Sequence, residues 1–309
     1  MRIIRHLERC GLSLRSPVVT LGNFDGVHVA HREILRRVVM QARERSGESV
    51  VITFFPHPTS VLNPDKASPA IASLRERLEV FREVGVENVI VQHFTIPFSR
   101  LTPEEFIDRY LIACLRAVKV IVGHSVSFGH GRRGTAETLV HAGARLGFEV
   151  EMVGPITVDG VKVSSTAVRR CVAAAELPLA TKLLGRPYSI AGRVISGDHR
   201  GKILGYPTAN VKPRVPLLAP DGVYAIRVDV RGRLVPGVAN IGRNPTFGEG
   251  RPRGVEAHLF DFDGDIYGRW IRVLLIERLR GEERFPSAKA LVEQIQRDVA
   301  CAKEILART

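Results

Sequence analysis

The sequence predicts an α/β half followed by a mainly β half. Three observations carry this. Up to about Leu184, short apolar runs alternate with stretches of helical periodicity. Beyond it, short strand-like runs follow one another with Gly and Pro between them. A single amphipathic helix closes the chain. Strands alternating with helices imply a parallel sheet covered on both faces. Short strands with few helices imply a small antiparallel barrel. At roughly 150 residues per domain, the 309 residues make two domains. The stretch Gly185-Arg186-Pro187 marks their boundary, giving 1–184 and 185–309.

The elements follow in order. Residues 17–22 (PVVTLG) are a short apolar strand, and 31–45 a helix with Ile34, Leu35, Val38, Val39 and Ala42 on one stripe. Residues 50–55 (VVITFF) form a buried strand, rich in β-branched and aromatic side chains. Residues 73–84 are helical and 88–92 a strand. Thr102-Pro103-Glu104-Glu105 starts a helix, with Thr as N-cap, Pro at the first helical position and Glu three residues after the cap. Residues 118–122 and 150–153 are strands. In the second half, strands are expected at 188–195, 222–230, 234–241, 254–260 and 270–276, with turns such as Arg231-Gly232 and Asp263-Gly264. The closing helix spans about 287–306, with Leu291, Val292, Ile295, Val299, Ala302 and Leu306 as its stripe.

Composition narrows the function. Hydrophobic residues make up 45% and charged residues 25%, which excludes a disordered chain, a collagen or a mucin-like stalk. No apolar run approaches the ~18 residues of a membrane span, and the charged start, Met1-Arg2-Ile3-Ile4-Arg5, leaves no room for a signal-peptide core. A cytoplasmic protein with no membrane partner is expected. Cys10, Cys114, Cys171 and Cys301 form no Cys-x-x-Cys pair and read as reduced thiols. The net charge of +13 is spread evenly: 24 basic against 18 acidic residues up to Gly185, then 21 against 14. With aromatics at 6% and no basic block, this fits small polyanions such as nucleotides, and no nucleic-acid partner is expected.

The stretch Gly22-Asn23-Phe24-Asp25-Gly26-Val27-His28-Val29-Ala30-His31 follows the first strand and opens the first helix. Free backbone N–H groups and the helix dipole make this a place for phosphate. Gly22 and Gly26 let the backbone pass close to a ligand. His28 and His31 are three apart, so at a helix start both rings can lean to one side and donate to phosphates. Taken alone, the stretch reads first as a Gly-rich turn with two solvent-facing histidines.

The chain resembles the nucleotidyltransferase superfamily, whose signature is His-x-Gly-His after the first strand. GNFDGVHVAH in particular is similar to the start of the bacterial bifunctional riboflavin kinase/FAD synthetases. Three further segments fall in that family's order: Thr53-Phe54-Phe55-Pro56-His57-Pro58, FSRLTPEEFI at 98–107, and Val163-Ser164-Ser165-Thr166-Ala167-Val168-Arg169. The resemblance implies a Rossmann-like nucleotidyltransferase fold for residues 1–184. It implies that Gly22, Asn23, Phe24, Gly26, Ser164, Ser165 and Thr166 bind nucleotide, that His28, His31 and Arg169 are catalytic, and that His57 and Phe128 meet the flavin substrate. Hydroxyls and a guanidinium suit a triphosphate physically. The sequence departs from the family at Ala30 (usually Gly), Phe55 (usually acidic), Ser125 and Ser127 (usually Asp or Asn, and Arg) and Thr135 (usually Asp).

The second constellation is the Gly-rich loop from Gly197 to Gly205, ending in Pro207-Thr208-Ala209-Asn210. It lacks the spacing and the Gly-Lys-Ser/Thr end of a Walker A loop. Three glycines in nine residues still permit a backbone nest for phosphates, and the Thr208 hydroxyl and Asn210 carbonyl are hard oxygen ligands of the kind magnesium takes. Composition alone also allows a hairpin turn. From Leu184 onward the chain resembles the riboflavin kinase domain, in LLGRPYSIAGRV, GDHRGKILGYPTAN, DGVYA, GVANIGRNPTFG and VEAHLFDFDGDIYG. The resemblance implies a site of eight residues: Gly197, Gly201, Lys202, Gly205 and Pro207 around ATP, and Thr208 and Asn210 on Mg2+, with Glu256 as the base.

The expected activities are phosphorylation of riboflavin to FMN by the C-terminal domain and adenylylation of FMN to FAD, with release of pyrophosphate, by the N-terminal one. Their small-molecule partners are ATP, riboflavin, FMN and FAD. Two other readings stay open at this point: a riboflavin kinase with a vestigial adenylyltransferase domain, and a basic nucleotide- or RNA-binding protein without turnover.

Overall fold

The computed structural model describes residues 1–7, 13–196, 205–242 and 253–309. By contact the chain divides into two units, one of Met1–Ser68 with Leu74–Ser164, the other of Pro69–Ser73 with Ser165–Thr309.

The first unit holds a six-stranded sheet: β1 (Arg2–Arg5), β2 (Val18–Leu21), β3 (Ser49–Phe55), β4 (Asn88–His93), β5 (Lys119–Gly123) and β6 (Glu149–Val153). The order is β1-β4-β3-β2-β5-β6, and every neighbouring pair is parallel. The central strands are mostly apolar because both faces are covered. Val19, Val50, Ile52, Ile90 and Val120 pack with Phe106, Ile107 and Leu139. Val51 and Val89 pack with Leu35, Val39, Val80 and Phe81, while Val18 and Ile121 meet Ile34, Val38 and Ala42. The helices are α1 (Val29–Glu44), α2 (Pro58–Leu62), α3 (Leu74–Val84), α4 (Ile96–Ser99), α5 (Pro103–Phe106) and α6 (Ala136–Leu146). The five stripe residues expected of the first helix are its buried residues. A hairpin of β7 (Thr157–Val158) and β8 (Val161–Lys162) ends the unit.

Three expectations are corrected here. α1 begins at Val29 rather than at 31, because the His28 ring itself caps it: Nδ1 accepts the His31 N–H at 3.3 Å. Histidine is outside the usual N-cap set of Ser, Thr, Asp and Asn. The edge strand β1, RIIR, has no counterpart in the sequence reading, since its ends are charged and only Ile4 packs on the core. The helix announced by Thr102 has its capping box, with Thr102 Oγ1 accepting from Glu105 N–H at 3.1 Å and Glu105 Oε2 from Thr102 N–H at 2.9 Å, but from Ile107 to Cys114 it winds as a π-helix.

The second unit begins with α7 (Ser165–Ala173) and α8 (Leu177–Leu184), which ends on the left-handed Gly185 (φ +70°). A barrel follows, of β9 (Tyr188–Ile195), β10 (Ala209–Pro213), β11 (Gly222–Val230), β12 (Arg233–Gly242), β13 (Gly254–Leu259) and β14 (Trp270–Arg280). It closes in the order β10-β13-β12-β11-β14-β9, all antiparallel. Five strands were expected and six are present among the described residues. β10 escapes a pattern search because it is five residues long, ends in Pro213 and starts inside the Pro-Thr-Ala-Asn motif.

The closing helix, α9 (Ala288–Arg308), is capped by Ser287, whose Oγ accepts the Ala290 N–H at 3.2 Å. Its Ala302 and Leu306 pack on Val223, Ala225, Val238 and Phe260. Its last turn is held by Arg227, which donates to the Leu306 carbonyl at 2.8 Å. Midway, Asp298 makes a two-pronged pair with Arg280 of β14 (3.0 and 2.7 Å), and Gln294 donates to the same carboxylate at 2.8 Å. Asp298 is 6% exposed. Asp298→Ala takes from the part-buried Arg280 its only carboxylate among the described residues, so it is expected to destabilise the second unit by about 3 kcal/mol, the low end of the loss when one partner of a buried pair is removed. A denaturant midpoint read from Trp270 fluorescence checks this.

Candidate active sites

The first site lies at the carboxyl edge of the parallel sheet, where ligands bind in open α/β folds. The loop between β2 and α1 carries three residues in the left-handed region: Phe24 (φ +49°), Gly26 (+77°) and Val27 (+40°). For a β-branched valine this is a strained conformation, held by burial at 0% exposure and by a bond from its N–H to the Phe24 carbonyl (3.1 Å). The turn brings His28 to the helix mouth. His31 N–H is spent on the His28 ring and Arg32 N–H on the His28 carbonyl (2.9 Å). The other first-turn amides and the helix dipole favour an anion here.

The two rings stack, with centroids 3.6 Å apart and planes at 15°. They are therefore not solvent-facing: His28 is 5% exposed. The edge of Phe24 meets His31 at 5.1 Å and Phe81 at 5.5 Å, so the Phe24 side chain lies in the core beneath the loop. His31 Nδ1 is buried without a hydrogen-bond partner among the described residues. Burial, then the charges of His28 and Arg77, hold the His31 imidazole well below the ordinary histidine pKa. The ring is thus neutral at pH 7, a form that donates through one nitrogen.

Arg77 was missed by the sequence reading. It sits on the buried face of α3, three residues after Leu74 and four before Phe81. A charge on an apolar stripe was the available signal. Its Nη1 donates to the Asn23 carbonyl at 2.6 Å and to Thr53 Oγ1 at 3.1 Å.

Further along the same edge, aromatic rings meet in a continuous group. Phe54, at the end of β3, lies 5.9 Å from Phe94 and 6.0 Å from Phe98. Phe98 reaches Tyr110 and Phe106, and Phe106 reaches Phe128 at 5.5 Å. Phe128 is 7% exposed, and a Cβ at Gly134 would lie 2.8 Å from its ring. His57 caps α2, its Nδ1 accepting the Thr59 N–H at 3.2 Å. The departures have local duties. Ala30 is half-buried in the first turn of α1, Phe55 is exposed, and Ser125 is exposed beside Ser127, whose Oγ accepts from Arg132 Nε at 2.9 Å. Thr135 caps α6, a task Asp performs equally well.

Arg169 lies on α7, in the second unit, and its Nε donates to the Pro69 carbonyl at 3.0 Å. Ser164 ends the first unit, and Ser165 and Thr166 open α7.

The second site is on the barrel. In the strand register Asn210 of β10 stands beside Glu256 of β13, and Glu256 beside Asn240 of β12. The flanking rows, Ala209-Ala257-Ala239 and Val211-Val255-Ile241, are buried inside the barrel. The three polar side chains therefore share the outer face. Asn240, which the sequence reading also passed over, donates through Nδ2 to Glu282 Oε1 at 3.4 Å. Thr208 lies at the foot of β10, and the Pro207 carbonyl accepts from His258 Nδ1 at 2.8 Å, tying this loop to β13. Gly205 is left-handed (φ +84°) with open space where a side chain would stand. Gly197, Gly201 and Lys202 lie outside the described residues. No cluster of three His, Cys, Asp or Glu suited to a metal occurs among the described residues. The hydroxyl of Thr208 and amide oxygen of Asn210, in line with a carboxylate, nevertheless fit magnesium, which takes one or two protein oxygens and completes its shell with phosphates and water.

The chain thus carries paired histidines at the first helix of a parallel α/β sheet and a carboxylate on the face of a closed barrel. Residues 12–167 match the FAD synthetase family model and residues 184–306 the riboflavin kinase family model. The chain belongs to the bifunctional riboflavin kinase/FMN adenylyltransferase family. It is 42% identical over 311 aligned residues to the bifunctional riboflavin kinase/FMN adenylyltransferase of Pseudomonas fluorescens, covering 99% of this chain and 98% of that one. It is 41% identical to the protein of the same description from Escherichia coli strain K12, covering 100% and 99%. A crystal structure from Streptococcus pneumoniae described as a macrolide-efflux protein matches with a TM-score of 0.86 and 32% identity, over 96% of this chain and 97% of that one. The efflux description belongs to that protein; among the described residues here, no helix is long and apolar enough to cross a membrane.

Proposed function

We propose that this chain makes FAD from riboflavin in two ATP-dependent steps, with the kinase step in residues 185–309 and the adenylyl-transfer step in residues 1–184. The observation that carries the reading is that one polypeptide holds both a helix mouth with stacked imidazoles and a barrel carboxylate aligned with an amide oxygen.

In the barrel, Glu256 accepts the proton of the riboflavin 5′-hydroxyl as that oxygen attacks the γ-phosphorus of ATP. The bond to the β,γ-bridging oxygen breaks, giving FMN and ADP. Gly197, Gly201, Lys202, Gly205 and Pro207 surround the nucleotide. Thr208 and Asn210 are the residues that would hold Mg2+, which supplies neutralisation of phosphate charge. Most of the acceleration is positioning and electrostatics.

In residues 1–184, an FMN phosphate oxygen attacks the α-phosphorus of ATP, and pyrophosphate leaves. FMN is already an anion, so no protein nucleophile is required. His28, His31 and Arg169 donate to the phosphates and stabilise the charge that develops as pyrophosphate departs. Gly22, Asn23, Gly26, Ser164, Ser165 and Thr166 line the nucleotide, Phe24 supports His31 from below, and His57 with the Phe128 ring group receives the flavin. We assign the work to the cytoplasm, which suits Cys114, Cys171 and Cys301, none of them in a disulfide.

Purified protein with riboflavin, ATP and Mg2+ is expected to show FMN first and FAD later, when flavins are separated by chromatography over time. FMN that accumulates unchanged refutes the adenylyl-transfer half, and unchanged riboflavin refutes the kinase half.

A further inference from the structure

Arg77 is 5% exposed. Burying a guanidinium is costly, and an apolar side chain on the same helix stripe would fill the space without that cost. Its contacts show what the charge is used for. Nη1 donates to the Asn23 carbonyl at 2.6 Å and to Thr53 Oγ1 at 3.1 Å, and Nη2 to the Phe54 carbonyl at 3.5 Å. Thr53 Oγ1 itself donates to the Asn23 carbonyl at 3.3 Å. The guanidinium therefore ties the loop after β2 to the carboxyl end of β3. In a trans peptide the carbonyl and the next N–H point opposite ways. Turning the Asn23 carbonyl down onto Arg77 thus turns the Phe24 amide away from it.

We propose that Arg77 is a positioning residue of the adenylyl-transfer site, fixing through the Asn23 carbonyl the loop that presents the Phe24 amide and the His28–His31 stack to the nucleotide. The role rests on the adenylyl-transfer reading above. A second effect follows from charge. His28 and Arg77 act on His31; Asp25 in the loop acts on Arg77, and Arg32, next to His31 on α1, pairs with Glu83 of α3. Of these, His28 and Arg77 disfavour a proton on His31. Arg77 thus disfavours protonation of His31 while adding fixed positive potential at the loop.

The test uses the full chain with Arg77→Gln and Arg77→Lys. The readouts are kcat and KM for FAD formation from FMN and ATP against pH, riboflavin phosphorylation in the same preparation, and the His31 ring titration by NMR. In Arg77→Gln, kcat for FAD formation is expected to fall about ten- to a hundredfold, the scale of a small misplacement of reacting groups, with a smaller change in KM and an unchanged kinase rate. Its acid inflection and the His31 titration both move to higher pH, because a cation that opposed protonation is gone. Arg77→Lys recovers part of the rate and of the shift. Wild-type kcat with an unmoved pH profile in Arg77→Gln overturns the proposal. So does a variant whose stability falls but whose properly folded fraction keeps wild-type kcat and pH dependence, since that is a structural role alone. If Arg77→Gln does not fold, the same criteria apply to Arg77→Lys. Wild-type protein that makes no FAD, while the NMR shift is still seen in the variant, refutes the adenylyl-transfer reading instead.

Discussion

Glu256→Gln is expected to lower riboflavin phosphorylation by about 10²–10⁴-fold, the range a positioned general base contributes, while FAD formation from added FMN continues. Glutamine keeps the size of the side chain and its ability to accept through oxygen. It removes the proton acceptor and the negative charge. Val255 and Ala257, on either side of Glu256, face the barrel interior at 1% and 0% exposure, so the outward carboxyl group carries none of the core packing. A fall in rate with an unchanged melting temperature then separates chemistry from folding. Wild-type phosphorylation by this variant would remove Glu256 from the mechanism.

The opposite half gives the second large effect. His28→Asn combined with His31→Gln is expected to reduce adenylyl transfer by about 10²–10³-fold or more, the loss measured when one donor to developing charge is deleted. Riboflavin phosphorylation in the same chain serves as the control. The choice of asparagine matters. His28 caps α1 through Nδ1, and alanine there would confound lost chemistry with a lost cap, at a cost of about 1 kcal/mol. Asparagine is itself a good N-cap. The two single variants are expected to lose nearly as much as the double, because the stacked rings act as one unit and their effects do not add. A double variant that makes FAD at the wild-type rate would refute the assignment.

How much of this could be read beforehand differs from residue to residue. The order of strands and helices in the first half follows from apolar runs such as VVITFF, because strands covered on both faces carry a continuous signal. β1 carries half that signal, being an edge strand with charged ends, and was invisible. His28 and His31 were legible as a pair because a spacing of three at a helix start puts them on one side. That His28 also starts the helix was not legible, since the cap comes from an imidazole. Arg77 was hidden for the opposite reason: a charged residue in a helix is read as surface unless its tertiary neighbours are known. In the barrel, Glu256 and Asn210 came from motifs, but Asn240 joins them only through the register of β12 and β13, and register is a long-range property. Closure of the barrel likewise depends on β10 pairing with both β9 and β13.

The parallel sheet ends on β1, four residues long and joined only to β4. This has a practical side for anyone handling the protein. Clipping residues 2–5, by a stray protease or an over-trimmed gene, would bare the backbone of β4 around Val89, Ile90 and Val91, a greasy ribbon free to zip onto a neighbouring molecule. An affinity handle is safer beyond Thr309, where the chain ends in the helix α9 rather than in a strand.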